Sequence, residues 1–236
     1  MHRLEVRVES LAHPGSRRGI RHPLHATTLP GRKVRAVSPT AAPSSGAFAP
    51  EYPIRTERLI LRPIAPGDAT AMHVYKSDVD AVRYVPYGPL EHADIERRIA
   101  TIWSNTRFDN EGDAVSLAVE ERETGELVGD VVLFWRSEND RAGEVGYIFD
   151  PRVAGRGYAT EAVQALLTLG FDGLGLHRIA ARIDARNTAS ARVVERLGFR
   201  LEARFVESEW FKDEWSTLLV YALLEDEWRG RRTAGA

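Results

Sequence analysis

One stretch, FDPRVAGRGYATEAVQALLTLGF over residues 149–171, restricts the fold more than anything else in the chain. It links a strand, GEVGYIFDP, to an apolar helix through a turn holding Gly155 and Gly157, residues that the interiors of strands and helices both disfavour. A second strand, HRIAARID, follows the helix, so the unit is a strand–helix–strand crossover whose strands run parallel.

Elsewhere the strands are joined too closely for such crossovers. AVSLAVEER and ELVGDVVLFWR flank a turn at Thr124 and Gly125 and form a hairpin, with GEVGYIFDP as the next strand. TERLILRPI is a strand that begins the ordered region near Thr56. Two helices follow it, PGDATAMHVYKSD and EHADIERRIATIWSNTRF, the second with Ile95, Ile99, Ile102 and Trp103 spaced along one face. NTASARVVERLGF is a short helix ended by Gly198, and RLEARFVESEW with EWSTLLVYALL is a closing strand pair. The order predicts a mixed α/β (α+β) domain: a central, mostly antiparallel sheet of about seven strands flanked by helices, with VVLFWR and GEVGYIFDP central and buried.

Residues 1–50 differ in kind from the rest. They hold eight Lys/Arg against two Asp/Glu, which leaves 24 against 32 for residues 51–236, a basic arm of +6 and a body of −8. The arm shows no sustained period and is rich in Pro, Gly and Ser, so a disordered extension is expected there, a domain over 51–228, and a second disordered tail over 229–236. An acidic body without a basic stripe disfavours nucleic acid as a partner. The chain has no cysteine, which rules out disulfides, thiolate metal sites and a cysteine nucleophile and suits a reducing cytoplasm. The seven histidines lack ligand spacing, so no metal is expected. Apolar runs such as TLLVYALL fall far short of the ~20 residues of a membrane helix.

The glycine turn has two readings from its residues alone. It is a tight strand-to-helix connection, or a phosphate cradle in which small residues expose the first helical amides and Arg156 adds a charge. It is not a Walker loop, because no lysine follows either glycine. Nor does GRGYAT fit the dinucleotide fingerprint, which needs a third glycine where this chain has Thr160.

VAGRGYATEAV followed by ARIDARNTASARVVERLGFRLEA resembles the acetyl-CoA site of the GNAT N-acetyltransferases, especially the branch that acetylates ribosomal-protein N-termini, over about Thr56 to Trp228. The resemblance implies the GNAT fold, acetyl-CoA as co-substrate, and acetyl transfer to a primary amine, either a protein N-terminus or a small molecule. It sets the pyrophosphate motif, Gln/Arg-x-x-Gly-x-Gly/Ala, on Ala154 to Ala159, with Ala154 departing from the motif. The implied cofactor contacts are Ala154, Gly155, Arg156, Gly157, Tyr158, Ala159 and Thr160, the backbone of Tyr147, Ile148 and Phe149, and Asn187 at the pantetheine arm.

Acyl transfer to an amine also needs a base and a donor for the leaving thiolate. The resemblance points to Glu144 as the base, with Glu207 and Glu209 as substitutes, and to Ser190 as the donor. Two departures stand out: Val194 occupies the family's tyrosine acid position, and Arg182 stands where one ribosomal branch has its glutamate. They keep open a second reading, a catalytically weak acyl-CoA-binding regulatory module. Tyr84, Tyr87 and Trp210 fall in the acceptor region. The expected partners are the amine acceptor and a second copy of the chain in a homodimer, with no membrane.

Overall fold

The computed structural model describes residues 47–234. Eight strands form one sheet: β1 (Ile54–Arg55), β2 (Leu59–Pro63), β3 (Ala114–Glu121), β4 (Leu127–Ser137), β5 (Ala142–Phe149), β6 (Arg178–Asp184), β7 (Arg200–Phe211) and β8 (Glu214–Leu224). Their spatial order is β1-β2-β3-β4-β5-β6-β8-β7. Among the described residues only the β5–β6 pair is parallel. This is the mixed, mostly antiparallel α/β sheet that the resemblance implies, with β4 and β5 at its centre as the sequence predicts. The strand beyond the expected seven is β1, whose two residues are too few to show alternation.

Five helices flank the sheet among the described residues: α1 (Ala69–Lys76), α2 (His92–Arg98), α3 (Tyr158–Thr168), α4 (Thr188–Arg196) and α5 (Glu225–Ala234). On α3, Tyr158, Ala162, Val163, Leu166 and Leu167 are buried against Val131, Leu133 and Val145. Each large side chain there contributes about 1.5–3 kcal/mol on burial, which makes the start of α3 a rigid platform. A second, smaller core lies on the other face of the sheet, where Met72, Tyr75, Ile95 and Ile99 meet Ala118 and Ile148.

Three expectations change. Beyond α2 the chain winds as a π-helical turn, Ile99–Trp103, and the wider turn rotates Ile102 off the apolar stripe to 59% exposure. The segment expected as a disordered tail over 229–236 is helical through Ala234, as part of α5. Of the expected extension over 1–50, residues 1–46 lie outside the described residues, but Phe48 belongs to the domain: it bridges Phe108 in both directions and its ring fills the space where a Cβ on Gly173 would stand.

Candidate acyl-donor site

The sheet has a fork at its centre. β5 and β6 pair only over Ala142–Glu144 and Arg178–Ala180, and the pairing then stops although both strands continue. At the open end the Asp150 N–H donates to the Val128 carbonyl at 2.9 Å. Counting back in twos along the β4–β5 register turns the peptide groups of Ile148 toward β4 and those of Val145, Tyr147 and Phe149 into the fork. Tyr147 and Phe149 thus stand where the sequence reading wanted free backbone groups. Ile148 does not: its amide belongs to the β4 ladder and its side chain to the smaller core.

The strand leaves the fork through Asp150, which is 4% exposed. Its carboxylate accepts from the Arg152 backbone N–H at 2.9 Å and from the Arg152 guanidinium, and the guanidinium bonds are the main reason its pKa lies below the usual range. A short 3-10 turn, Pro151–Val153, follows. Gly155 and Gly157 then both take φ +80, the left-handed conformation that only glycine adopts freely, and this swings the chain into α3. The first backbone bond of α3 is Glu161 N–H to the Gly157 carbonyl at 3.1 Å, so the amides of Tyr158, Ala159 and Thr160 precede the helical ladder. The amides of Ala154 and Arg156 are already bonded to the carbonyls of Pro151 and Val153, at 3.0 and 3.3 Å, so they offer no free N–H, contrary to expectation.

Two guanidinium groups flank this entrance. Arg156 pairs with Glu121 at 2.6 Å. Arg58 donates to the Arg156 carbonyl at 2.8 Å, pairs with Glu161 at 2.7 Å and lies 3.4 Å from where a Cβ on Gly157 would stand. Glu161 also accepts from the Thr56 hydroxyl at 2.6 Å and the Arg58 amide at 2.7 Å, which fastens α3 to the start of β2. Tyr158 contributes to the entrance by its amide alone, because its side chain is 3% exposed and its hydroxyl donates to Glu121. That bond comes first, ahead of Thr124 and Arg156, among the contacts holding the Glu121 carboxyl below its ordinary range.

Asn187 caps α4: its Oδ1 accepts the Ser190 N–H at 3.0 Å. Ahead of it, Asp184 at the end of β6 accepts from the Arg186 amide (2.9 Å), the Arg186 guanidinium (2.6 Å) and the Ser216 hydroxyl (2.7 Å). Burial works to raise this carboxyl, and those three donors outweigh it and hold the pKa at about 2. Asp184→Asn is expected to lower the unfolding free energy by about 1–3 kcal/mol, since a buried donor loses its charged acceptor. The folded pKa is below the free value of 3.8, so the stabilisation is present above that value and disappears as the pH falls toward 2. Thermal melts of both proteins across that window should converge; melts that stay equally far apart throughout would overturn this account.

The two proposed catalytic residues lie in different parts of the fork. Glu144 is the last paired residue at its closed end and contacts Arg136 Nε at 3.0 Å, with its side chain 19% exposed. Ser190 sits in the first turn of α4, where its carbonyl accepts the Tyr147 hydroxyl at 3.1 Å. Val194, one turn on, is 0% exposed and faces the main core. Arg182 and Glu209 form an ion pair at 2.7 Å, and Glu207 is in a bulge of β7 with φ 48.

Of the acceptor residues, Tyr84 lies beside Arg186, whose guanidinium carbon is 5.9 Å from its ring centre. Trp210 packs edge-on against Trp215 at the β7–β8 tip, and that tip is tied to the Tyr84 loop by Lys212 Nζ bonding the Val82 carbonyl at 2.5 Å. Tyr87 is turned away: it bonds Lys76 Nζ at 3.0 Å and packs on Trp103 in the smaller core. Arg58 is the entrance residue that sequence reasoning missed; it is 98 residues from Arg156 in sequence, and no local motif links the two.

The arrangement fits a ligand with a diphosphate and a polar arm. Space is open at Gly155, where a Cβ would meet nothing within 4 Å, and the Thr160 hydroxyl in the first turn of α3 is a buried polar atom without a partner. Among the described residues no His/Cys/Asp/Glu group could hold a metal ion, and no helix is long and apolar enough to cross a membrane.

The acetyltransferase (GNAT) domain model matches residues 58–200. The uncharacterized N-acetyltransferase YnaD of Bacillus subtilis (strain 168) is 34% identical over 175 residues, which cover 74% of this chain and 98% of that protein. The crystal structure of a GNAT-family acetyltransferase from Bacillus anthracis, also 34% identical, superposes with a TM-score of 0.66 and covers 74% of this chain and 99% of that one. A putative ribosomal N-acetyltransferase, YdaF of Bacillus subtilis, is 32% identical over 108 residues, 46% of this chain and 59% of that protein.

Proposed function

The chain belongs to the GNAT acetyltransferase family and is an acetyl-CoA-dependent acyltransferase, and on that premise we propose that it acetylates a primary amine, either a protein N-terminus or a small-molecule amine, by direct attack on the thioester. Acetyl-CoA supplies the activated acetyl group. Its diphosphate is held by the amides of Tyr158, Ala159 and Thr160, where unbonded N–H groups and the helix dipole favour negative charge, with Arg58 and Arg156 beside them. The Thr160 hydroxyl and the carboxamide nitrogen of Asn187 are further polar contacts. The acetyl-pantetheine lies in the fork, and an N–H of Tyr147 or Phe149 donates to the thioester oxygen as charge develops there.

An alkylammonium has a pKa near ~10.4 and must lose a proton before it can attack. Glu144 takes that proton, directly or through water. Gly146, on the same face of β5 as Glu144, keeps that face free of a side chain, since a Cβ there would press on Val132 at 3.0 Å, with Phe134 at 3.9 Å. The acceptor enters between the Tyr84 loop and the β7–β8 tip. The protein N-terminus rests on the resemblance to the ribosomal branch and on the YdaF relative; the small amine is the other acceptor class.

The observation that carries this reading is the fork together with the free amides of α3 at its open end. Acetyl-CoA should raise the melting temperature, and a panel of N-terminal peptides and small amines should release free thiol from it, measured with a thiol reagent. Stabilisation without thiol release on any amine would favour the weak acyl-CoA-binding module, the reading to which the buried Val194 points. No stabilisation at all would overturn both.

A further inference from the structure

Breaking the thioester leaves an electron pair on sulfur, so a hydrogen-bond donor beside that sulfur lowers the barrier. α4 supplies no phenol, because Thr188–Arg196 contains no tyrosine. A phenol reaches the first turn of α4 from the β5 side of the fork. Tyr147 projects from β5 on the α3 and α4 face of the sheet, and its hydroxyl meets the first turn of α4 at the Ser190 carbonyl, 3.1 Å away. Its own peptide groups are among those turned into the fork. One residue therefore turns its peptide groups into the gap where β5 and β6 have parted and sets its hydroxyl at the first turn of α4 beside it.

We propose that Tyr147 donates its phenolic hydrogen to the sulfur of the departing CoA. This rests on the acyl-transfer reading above. The present acceptor gives the hydrogen up at little cost. Ser190 is inside α4, so its carbonyl also takes the Val194 N–H of the helical ladder and stays bonded when the hydroxyl turns away. A thiolate is charged and is the stronger acceptor. Burial pushes the Tyr147 phenol up to about 12, so it carries its hydrogen at neutral pH.

Glu144 passes the proton of the ammonium on to water; the neutral amine nitrogen then forms the new bond to the acetyl carbon, the C–S bond breaks with its pair going to sulfur, and Glu144, again ionised, receives the second nitrogen proton and returns it to water. A thiol, at about 8.5, is the stronger acid, so the phenol keeps its proton and acts as a hydrogen-bond donor. The thiolate takes its own proton from water as CoA leaves.

The test uses the full chain and CoA itself, so no acceptor need be known. Ionisation of the bound CoA thiol is followed through its ultraviolet thiolate absorbance in wild type and in Tyr147→Phe. The thiol should ionise at lower pH in wild type, with at least about a tenfold difference in ionisation constant. Equal ionisation in two proteins that both bind CoA overturns the proposal. If Tyr147→Phe fails to fold, a difluorotyrosine at position 147 decides: its more acidic phenol should lower the thiol pKa below that of wild type, and an unchanged value overturns the proposal. Failure of wild type to bind CoA at all would instead refute the acyl-transfer reading.

Discussion

Gly157→Glu is expected to abolish the stabilisation that acetyl-CoA gives, with an affinity loss of about 100-fold or more. Two effects combine. Position 157 has φ +80, which a glutamate adopts only at a cost of about 1–3 kcal/mol. Its side chain would also start 3.4 Å from Arg58 and put a carboxylate at the helix entrance, where it competes with the diphosphate for the same amides. Losing two charge-assisted hydrogen bonds at about 1.5 kcal/mol each already accounts for a hundredfold. Calorimetric titration with CoA reads the loss directly, and circular dichroism checks that the fold survives, since α3 is anchored independently by Glu161 and its buried face. A folded variant that binds CoA normally would mean that the diphosphate sits elsewhere.

Glu144→Gln should lower kcat by about 100-fold while leaving CoA affinity within a factor of two. The amide keeps a hydrogen-bonding oxygen for Arg136 and nearly the same shape, so the loss isolates proton acceptance from packing. The pH dependence distinguishes a base from a merely structural contact. If Glu144 takes the amine proton, the acidic limb of the wild-type rate profile should flatten in the variant. Undiminished turnover would move the role to Glu209, which is held by Arg182 across the sheet at 2.7 Å.

Much of this molecule can be read from its residues, for identifiable reasons. The central strands announce themselves because β4 is mostly buried, β5 is half-buried and both carry β-branched and aromatic side chains, and the crossover is marked by two glycines whose positive φ side chains rarely adopt. The α3 entrance follows from that local chemistry, whereas the free backbone groups of β5 come only with the family resemblance. What stayed hidden depends on contacts distant in sequence or on a change of helical pitch. Ile102 has a helical spacing from Ile95 and Ile99, yet one π-helical turn moves it to solvent. Tyr87 has the composition of a pocket residue, but Lys76 claims its hydroxyl. Asn187 could be placed because capping is local, whereas the Tyr147–Ser190 contact spans 43 residues and only the folded sheet reveals it.

The three-rung pairing of β5 with β6 also bears on how the domain behaves mechanically. A sheet that is continuous on both flanks and stitched at one end in the middle is two plates sharing a short seam. On the acyl-transfer reading proposed above, the arm of acetyl-CoA, which carries amides of its own, would act between the plates as a borrowed strand that completes the missing rungs. Cofactor loading and the stiffening of the whole sheet would then be one event.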